Sequence, residues 1–506
     1  MSGPARSSPA TQWLPLVVAL AAGALLTLAF APFNVWPLAI VCPALLMILW
    51  QGTTARRGAA LGFSFGVGAF SAGTWWLYIS IHVFGPQPIW ISVAAVAMFV
   101  VVLAAYYALL GWAASRFLPA AGPWRWYAGL PSLWLLIECL RGSFQLGYPW
   151  LSLGYSQTDT WLAGYAPVLG VYGVSALLLL QAGALCVAWE RRAVPRSGRV
   201  PLLLVAVIWA AGWALGQVEW TLAAGAPVSV AIVQGAIPQD EKWQVDNRLP
   251  IRALYRGLND QALGARLIVW PEAAIPELAN EIPRYLADIQ ASARSHGGDV
   301  VMGVVRKDDN GVDYYNSIMA LTGGVAFYDK RHLVPFVETF PVPALVRDWL
   351  QLLKLPYSSF VFGKEEQAPL QAGGMSLAPT ICFEDSFGAA QLALAARSTL
   401  LVNVTNDAWF GHSQARYQHL QIGRMRALEV GRSLVRAGND GISAIVGPKG
   451  ELIAMAPEYQ RTVLRGTVVP RNGLSPYTRV GNWPVLLLAF GAAAAAGFRR
   501  RFKSLC

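Results

Sequence analysis

Cys382 stands alone in a polar stretch of about 250 residues, while Cys42, Cys139, Cys186 and Cys506 lie in or beside apolar segments at the chain ends. A solitary thiol with no disulfide partner is a candidate nucleophile. It follows a predicted strand, Ala378–Ile381, and precedes Glu384 and Asp385. An ordinary thiol is mostly protonated near neutral pH, so it needs a base or a neighbouring cation. Two residues in similar positions can supply these. Glu272 follows the predicted strand Leu267–Trp270 across Pro271 and can accept a proton. Lys330 follows the short strand Val325–Tyr328 and can favour a thiolate, then a tetrahedral oxyanion. Glu338 can hold the Lys330 ammonium in place and keep it charged. Each also has an ordinary reading as a surface carboxylate, a solvated lysine or a small buried thiol. More than fifty residues separate each from the next. Only a fold can unite them.

The elements that must do so begin at Pro227, where short β-branched runs alternate with helical stretches. Strands are predicted at Val228–Val233, Val300–Val305, Ser317–Leu321 and Leu400–Thr405, besides the three named above. Helical spacing covers Arg284–Ser295 and Glu384–Arg397, and His419–Ala437 reads as a longer helix. Gly447 to Gly450, between Ile442–Val446 and Leu452–Ala456, is a hairpin signal. This alternation predicts an α/β domain with reactive groups just beyond strand ends.

The rest of the chain has a different composition. Apolar residues make up 55% of the sequence and charged residues 13%. Long apolar runs occupy Trp13–Ala31, Val35–Trp50, Ala59–Phe84, Ile89–Ser115, Leu162–Trp189 and Val200–Gln217. Tyr127–Leu140 is weaker, since it contains Pro131 and leads into Arg141, but charge parity includes it. Arg56 and Arg57, then Arg116 and Arg125, then Arg191 to Arg199 fall on one side only if that segment also spans. Asn482–Phe498 returns the chain to the side where Arg499, Arg500, Arg501 and Lys503 hold it. Eight spans are therefore predicted, with residues 226–470 outside the cytoplasm. An alternative, a cleaved leader ending at Ala29-Phe30-Ala31, must account for a run that leads straight into another apolar stretch. The net charge of +11 sits largely in short loops, so no nucleic-acid partner is expected. No run of broken helices with mid-span acids suggests a transporter.

Local motifs sharpen the reading. Trp270-Pro271-Glu272, Tyr328-Asp329-Lys330 and Ile381-Cys382-Phe383-Glu384 resemble the three signatures of the nitrilase, or carbon–nitrogen hydrolase, superfamily. More specifically, Val233-Gln234-Gly235 through Pro238 and Trp243, His332 through Phe336 with Glu338, and Asn403 through Gly411 resemble its membrane branch, the apolipoprotein N-acyltransferase family. Gly147-Tyr148-Pro149-Trp150 and Gly154-Tyr155-Ser156-Gln157 match in the apolar half. Two positions depart: Phe383 where Tyr is more usual, and Val337 where Gly is usual.

The resemblance implies an α-helical membrane bundle plus an exported αββα sandwich, divided as residues 1–220, 226–470 and 480–506. It implies Glu272 as general base, Lys330 as oxyanion stabiliser and Cys382 as nucleophile, with Glu338 and Glu384 in support. Trp243 and Asn316 match positions tied to substrate binding or site architecture. It further implies a bacterial inner-membrane enzyme with its catalytic domain on the periplasmic side. The donor would be a phospholipid, typically phosphatidylethanolamine, and the acceptor a diacylglyceryl apolipoprotein. No cofactor is implied. No metal is expected either, since His412 and His419 have no cysteine or carboxylate at ligand spacing.

Pro341–Phe362, rich in Trp349, Leu350, Leu353 and Phe360, independently suggests lipid contact and a gate for acyl chains. Two rivals share these features: a membrane-anchored amidase or nitrilase using water, and a scaffold with a vestigial triad.

Overall fold

The computed structural model describes residues 9–143, 147–192, 199–308, 310–335, 337–339 and 360–503. Its N-terminal region is helical. The apolar runs become helices Pro9–Leu26, Leu38–Leu49, Ala55–Thr74, Ile89–Phe117, Leu130–Gly142, Ala166–Glu190 and Arg199–Gly216, and the last is Trp483–Lys503. Among the described residues, three are long and apolar enough to cross a membrane: Ile89–Phe117, Trp161–Glu190 and Arg199–Gly216. The predicted run Ala59–Phe84 is not one helix. It leaves α geometry after Thr74 and resumes as a π-helical turn, Ile79–Phe84.

The two ends of this bundle differ. At one, Thr53 meets Ser115, Arg125 donates to the Trp50 carbonyl, Trp126 to Glu190, and Arg500 to the Ser115 carbonyl. The basic segments therefore collect there. At the other end, Gln414 donates to the Ala72 carbonyl, Ser80 to Trp409, Gln421 to Thr158 and Lys449 to Gly216. That end carries the second domain.

This domain holds two six-stranded sheets packed face to face. The first orders Thr462–Val468, Val228–Gln234, Leu267–Trp270, Asp299–Lys307, Tyr314–Leu321 and Val325–Asp329. The second orders Leu452–Met455, Ala444–Val446, Leu434–Gly438, Leu400–Thr405, Met375–Ile381 and Leu370–Ala372. Side-chain alternation explains the layering. Val230, Ile232, Leu267 and Val269 enter the core between the sheets, where they share a cluster with Leu377, Val402 and Val435. Their neighbours Ala231, Val233, Ile268 and Trp270 turn outward beneath Tyr255, Leu258 and Leu286 of helices Arg248–Ala262 and Pro283–Ser295.

Helix Ala415–Val430 covers the second sheet and is buried on two sides. Leu420, Ala427 and Val430 meet the sheet, whereas Ala415, Ile422, Met425 and Leu428 belong to the bundle core. It ends at Gly431, in the left-handed region with φ 63°, where a residue without Cβ is favoured. The predicted helix His419–Ala437 is thus corrected. Leu434–Gly438 is a strand parallel to Leu400–Thr405. Glu384–Arg397 is corrected as well: a 3₁₀ turn, Cys382–Ser386, precedes helix Gly388–Ala396, with the break at Phe387.

Candidate active site

Three strand ends converge on one cleft. Glu272 leaves Leu267–Trp270, Lys330 leaves Val325–Asp329 and Cys382 leaves Met375–Ile381. Lys330 is buried, with Nζ 2.9 Å from Glu338 and 3.5 Å from Glu272 Oε1. Asn316 braces both acids, its Nδ2 donating to Glu272 Oε1 and Glu338 Oε1 at 2.8 Å each. The remaining carboxylate oxygens accept from backbone: Glu272 Oε2 from Asn406 N–H at 3.0 Å, Glu338 Oε2 from Val334 N–H at 2.7 Å. The two acids and the lysine are locked in register.

Charge follows from this packing. Burial disfavours the Lys330 ammonium, but Glu338 and Glu272 outweigh it and hold its pKa above the ordinary lysine value. Desolvation pushes the Cys382 thiol up and Glu272 pushes the same way, while Lys330 pulls it down. The free thiol is therefore held protonated, beside a carboxylate that can take its proton and a cation that can stabilise developing negative charge. Cys382 has φ 52°, a left-handed conformation costing a non-glycine residue on the order of 1–3 kcal/mol. Among the described residues, all four cysteines are free.

Glu384 does not face this cleft. It is fully buried and accepts from Arg331, His332 and Ile381 N–H at 2.6, 3.2 and 2.9 Å, with Tyr328 Oη at 3.2 Å. It ties the Lys330 strand end to the Cys382 strand end. Trp243 is half exposed after helix Gln239–Lys242. Trp349 and residues 341–359 of the predicted gate lie outside the described residues; Phe360 and Phe362 are described, on the strand-like segment facing Tyr314.

Two participants, Lys242 and His419, have no local sequence signal, whereas Asp407 lies within the motif Asn403 through Gly411. Lys242 is fully buried, donates to the Glu272 carbonyl at 3.2 Å, and has its pKa pulled down to about 8 by burial, with Glu272 opposing. His419 and Asp407, together with Cys382, place their polar side-chain atoms within 4.8 Å of one another. This corrects the expectation drawn from ligand spacing, since residues distant along the chain meet here. Both imidazole nitrogens are nonetheless engaged: Nδ1 with Asp407, Nε2 with the Cys382 carbonyl and Asp385. That leaves no ring lone pair directed at a metal.

The apolar half reaches the same place. Tyr148 and Trp150 stack on Phe383 at 6.2 and 6.4 Å between centroids, and Trp150 Nε1 donates to Gln418 at 2.7 Å.

Comparison with known proteins covers both parts. The family described as apolipoprotein N-acyltransferase N-terminal domain matches residues 22–184, and carbon-nitrogen hydrolase matches residues 229–472. The chain is 39% identical over 489 residues to the apolipoprotein N-acyltransferase of Methylococcus capsulatus, covering 96% of each chain. It is 40% identical over 495 residues to that of Nitrosomonas europaea, covering 96% of this chain and 98% of the relative. The Pseudomonas syringae pv. tomato relative is 39% identical over 491 residues, covering 96% and 97%.

Proposed function

This chain belongs to the apolipoprotein N-acyltransferase family, and from that premise we propose how its cleft carries an acyl chain. The enzyme is an N-acyltransferase of the carbon–nitrogen hydrolase superfamily, with a phospholipid donor and a lipoprotein acceptor. The water-using amidase alternative falls away, because residues 22–184 match a domain that belongs to the transferase.

In the proposed first half-reaction, Glu272 takes the Cys382 thiol proton as sulfur attacks the sn-1 ester carbonyl of phosphatidylethanolamine. Lys330 stabilises the tetrahedral oxyanion. The intermediate collapses to a thioester, and Glu272 returns the proton to the departing lysophospholipid alkoxide. In the second, the α-amine of a diacylglyceryl-cysteine attacks the thioester, Glu272 removes an amine proton, and the thiol is re-formed as the amide is released. Glu338 keeps Lys330 charged, Asn316 holds both acids in position, and Trp243 and Trp349 meet substrate. The observation that carries this reading is the locked Glu272–Lys330–Glu338 arrangement beside a strained cysteine on a third strand end.

The same proposal divides the chain at residues 1–220, 226–470 and 480–506. It places the catalytic domain on the periplasmic side of the inner membrane, with eight spans. The gathering of Arg125, Arg500 and Glu190 contacts at the end opposite the second domain supports that topology.

Mass spectrometry of the full chain mixed with phosphatidylethanolamine tests it. An acyl adduct on Cys382, stable in water and cleared by a diacylated lipopeptide, is expected. Rapid clearance by water alone, or no adduct, refutes the assignment.

A further inference from the structure

Beside Cys382 lies a set of four charged groups, with Arg426 acting on Asp385 and Asp440 on Asp407 from its margins. His419 on helix Ala415–Val430 is fully buried. Asp385 faces it from the 3₁₀ turn after Cys382, Asp407 from the turn after Leu400–Thr405, and Arg436 lies behind both acids on strand Leu434–Gly438. Arg436 meets Asp407 at 2.8 Å and Asp385 at 3.4 Å, and also donates to Asn403 at 2.7 Å. Two acids and two bases balance, which is the condition for burying them at all.

Every hydrogen-bond partner of the His419 ring nitrogens is an acceptor, with the Cys382 sulfur also within 4.8 Å of the ring. Nδ1 lies 2.8 Å from Asp407, and Nε2 lies 3.1 Å from the Cys382 carbonyl and 3.2 Å from Asp385. A neutral imidazole has one N–H and cannot serve both sides. This geometry requires the imidazolium. It also explains how Cys382 is kept at φ 52°: its carbonyl is gripped by a charged donor fixed from behind, with Asn403 Nδ2 a longer second donor at 3.4 Å.

We propose that His419 is a positioning residue of the nucleophile, a doubly donating imidazolium that grips the Cys382 carbonyl and holds the left-handed turn from which the thiol reacts. The inference rests on the acyl-enzyme reading above. It assigns His419 no contact with substrate and no proton transfer. The charge has the support of its surroundings: burial and Arg436 push the ring's pKa down, but Asp385 and Asp407 prevail and raise it to about 9.

The test is single-turnover acylation of the full chain by phosphatidylethanolamine in mixed micelles. His419→Ala is expected to slow acylation at saturating lipid by roughly ten- to a hundredfold, as displacement of a reacting group does, with an unchanged half-saturating lipid concentration. His419→Gln, which can present an amide N–H to the same carbonyl, is expected to recover most of the rate. A wild-type rate in His419→Ala, or a His419→Gln variant as slow as His419→Ala, overturns the proposal. If His419→Ala does not accumulate folded, the pH profile decides between wild type and His419→Gln. Wild-type acylation should decline above about pH 9 as the ring loses a donor, and the variant should lack that decline; parallel profiles overturn the proposal. An absence of any adduct on the wild-type enzyme refutes the acyl-enzyme reading instead, so the two failures are distinct.

Discussion

Glu384 is hydrogen-bonded to the backbone N–H of Arg331 at 2.6 Å, so a carboxylate two residues beyond Cys382 holds the chain just beyond Lys330. Its other oxygen accepts from Ile381 N–H at 2.9 Å. The same side chain thus fixes the spacing of two strand ends in different sheets.

Glu384→Ala should therefore act through structure. It would orphan the buried N–H groups of Arg331 and Ile381, each costing about 1–3 kcal/mol. The expected result is a clear drop in melting temperature together with weak acylation. Full activity with an unchanged melting temperature would show that the tie is dispensable.

Lys330→Ala should lower the acylation rate by on the order of a hundredfold or more, the usual effect of losing an oxyanion donor. Lys330→Arg should not restore it, because the site is closed around a point charge 2.9 Å from Glu338 and has no room for a planar fork. Rapid-quench measurement of adduct formation reads both variants.

Gly303 sits under Glu272. A Cβ there would come within 2.5 Å of Glu272 Cα and of the Pro271 carbonyl oxygen. Gly303→Ala should push Glu272 away from its place and cost on the order of a hundredfold in acylation, the scale of an ångström-sized misplacement. A wild-type rate constant from the folded variant would show that the loop yields freely.

His419 makes stability depend on pH with a definite sign. Its folded pKa, held up by Asp385 and Asp407 against burial and Arg436, is about 9, above the ordinary 6.5. The unfolded chain loses the proton first, so the contribution is complete below pH 6.5 and disappears as pH rises through about 9. The melting temperature of the wild type should fall relative to His419→Gln across that window. A constant difference between the two would mean that the ring does not titrate there.

Much of the scaffold could be read from residue patterns, for identifiable reasons. Leu267–Trp270 and Leu400–Thr405 keep their predicted bounds because β-branched runs buried on both faces look alike in sequence and in space. The helix drawn through Gly431 failed because Leu434–Gly438 gains its identity from pairing with Leu400–Thr405. A buried arginine at its centre, Arg436, disguises it further. Helix Arg248–Ala262 does carry a helical signal, Ile251, Tyr255, Leu258 and Ala262 on one buried face, whereas strand Thr462–Val468 is half exposed and takes its place from pairing with Val228–Gln234. Of the groups around the cleft, Glu272, Lys330 and Cys382 announce themselves by following strands. His419 and Lys242 do not, since each matters only through what it touches, the Cys382 carbonyl and the Glu272 carbonyl, while Asn406, which meets the Glu272 carboxylate, lies in the motif Asn403 through Gly411.

The aromatic stack of Tyr148 and Trp150 on Phe383 has a practical consequence for anyone wishing to simplify the enzyme. Trimming the chain to its two-sheet domain would strip the aromatic stack from beside Cys382 and leave Ile422, Met425 and Leu428 uncovered. Hybrids that join halves of different relatives would need to inherit positions 148, 150 and 383 as a set. Anchor and catalyst are here one machine, and neither is a detachable module.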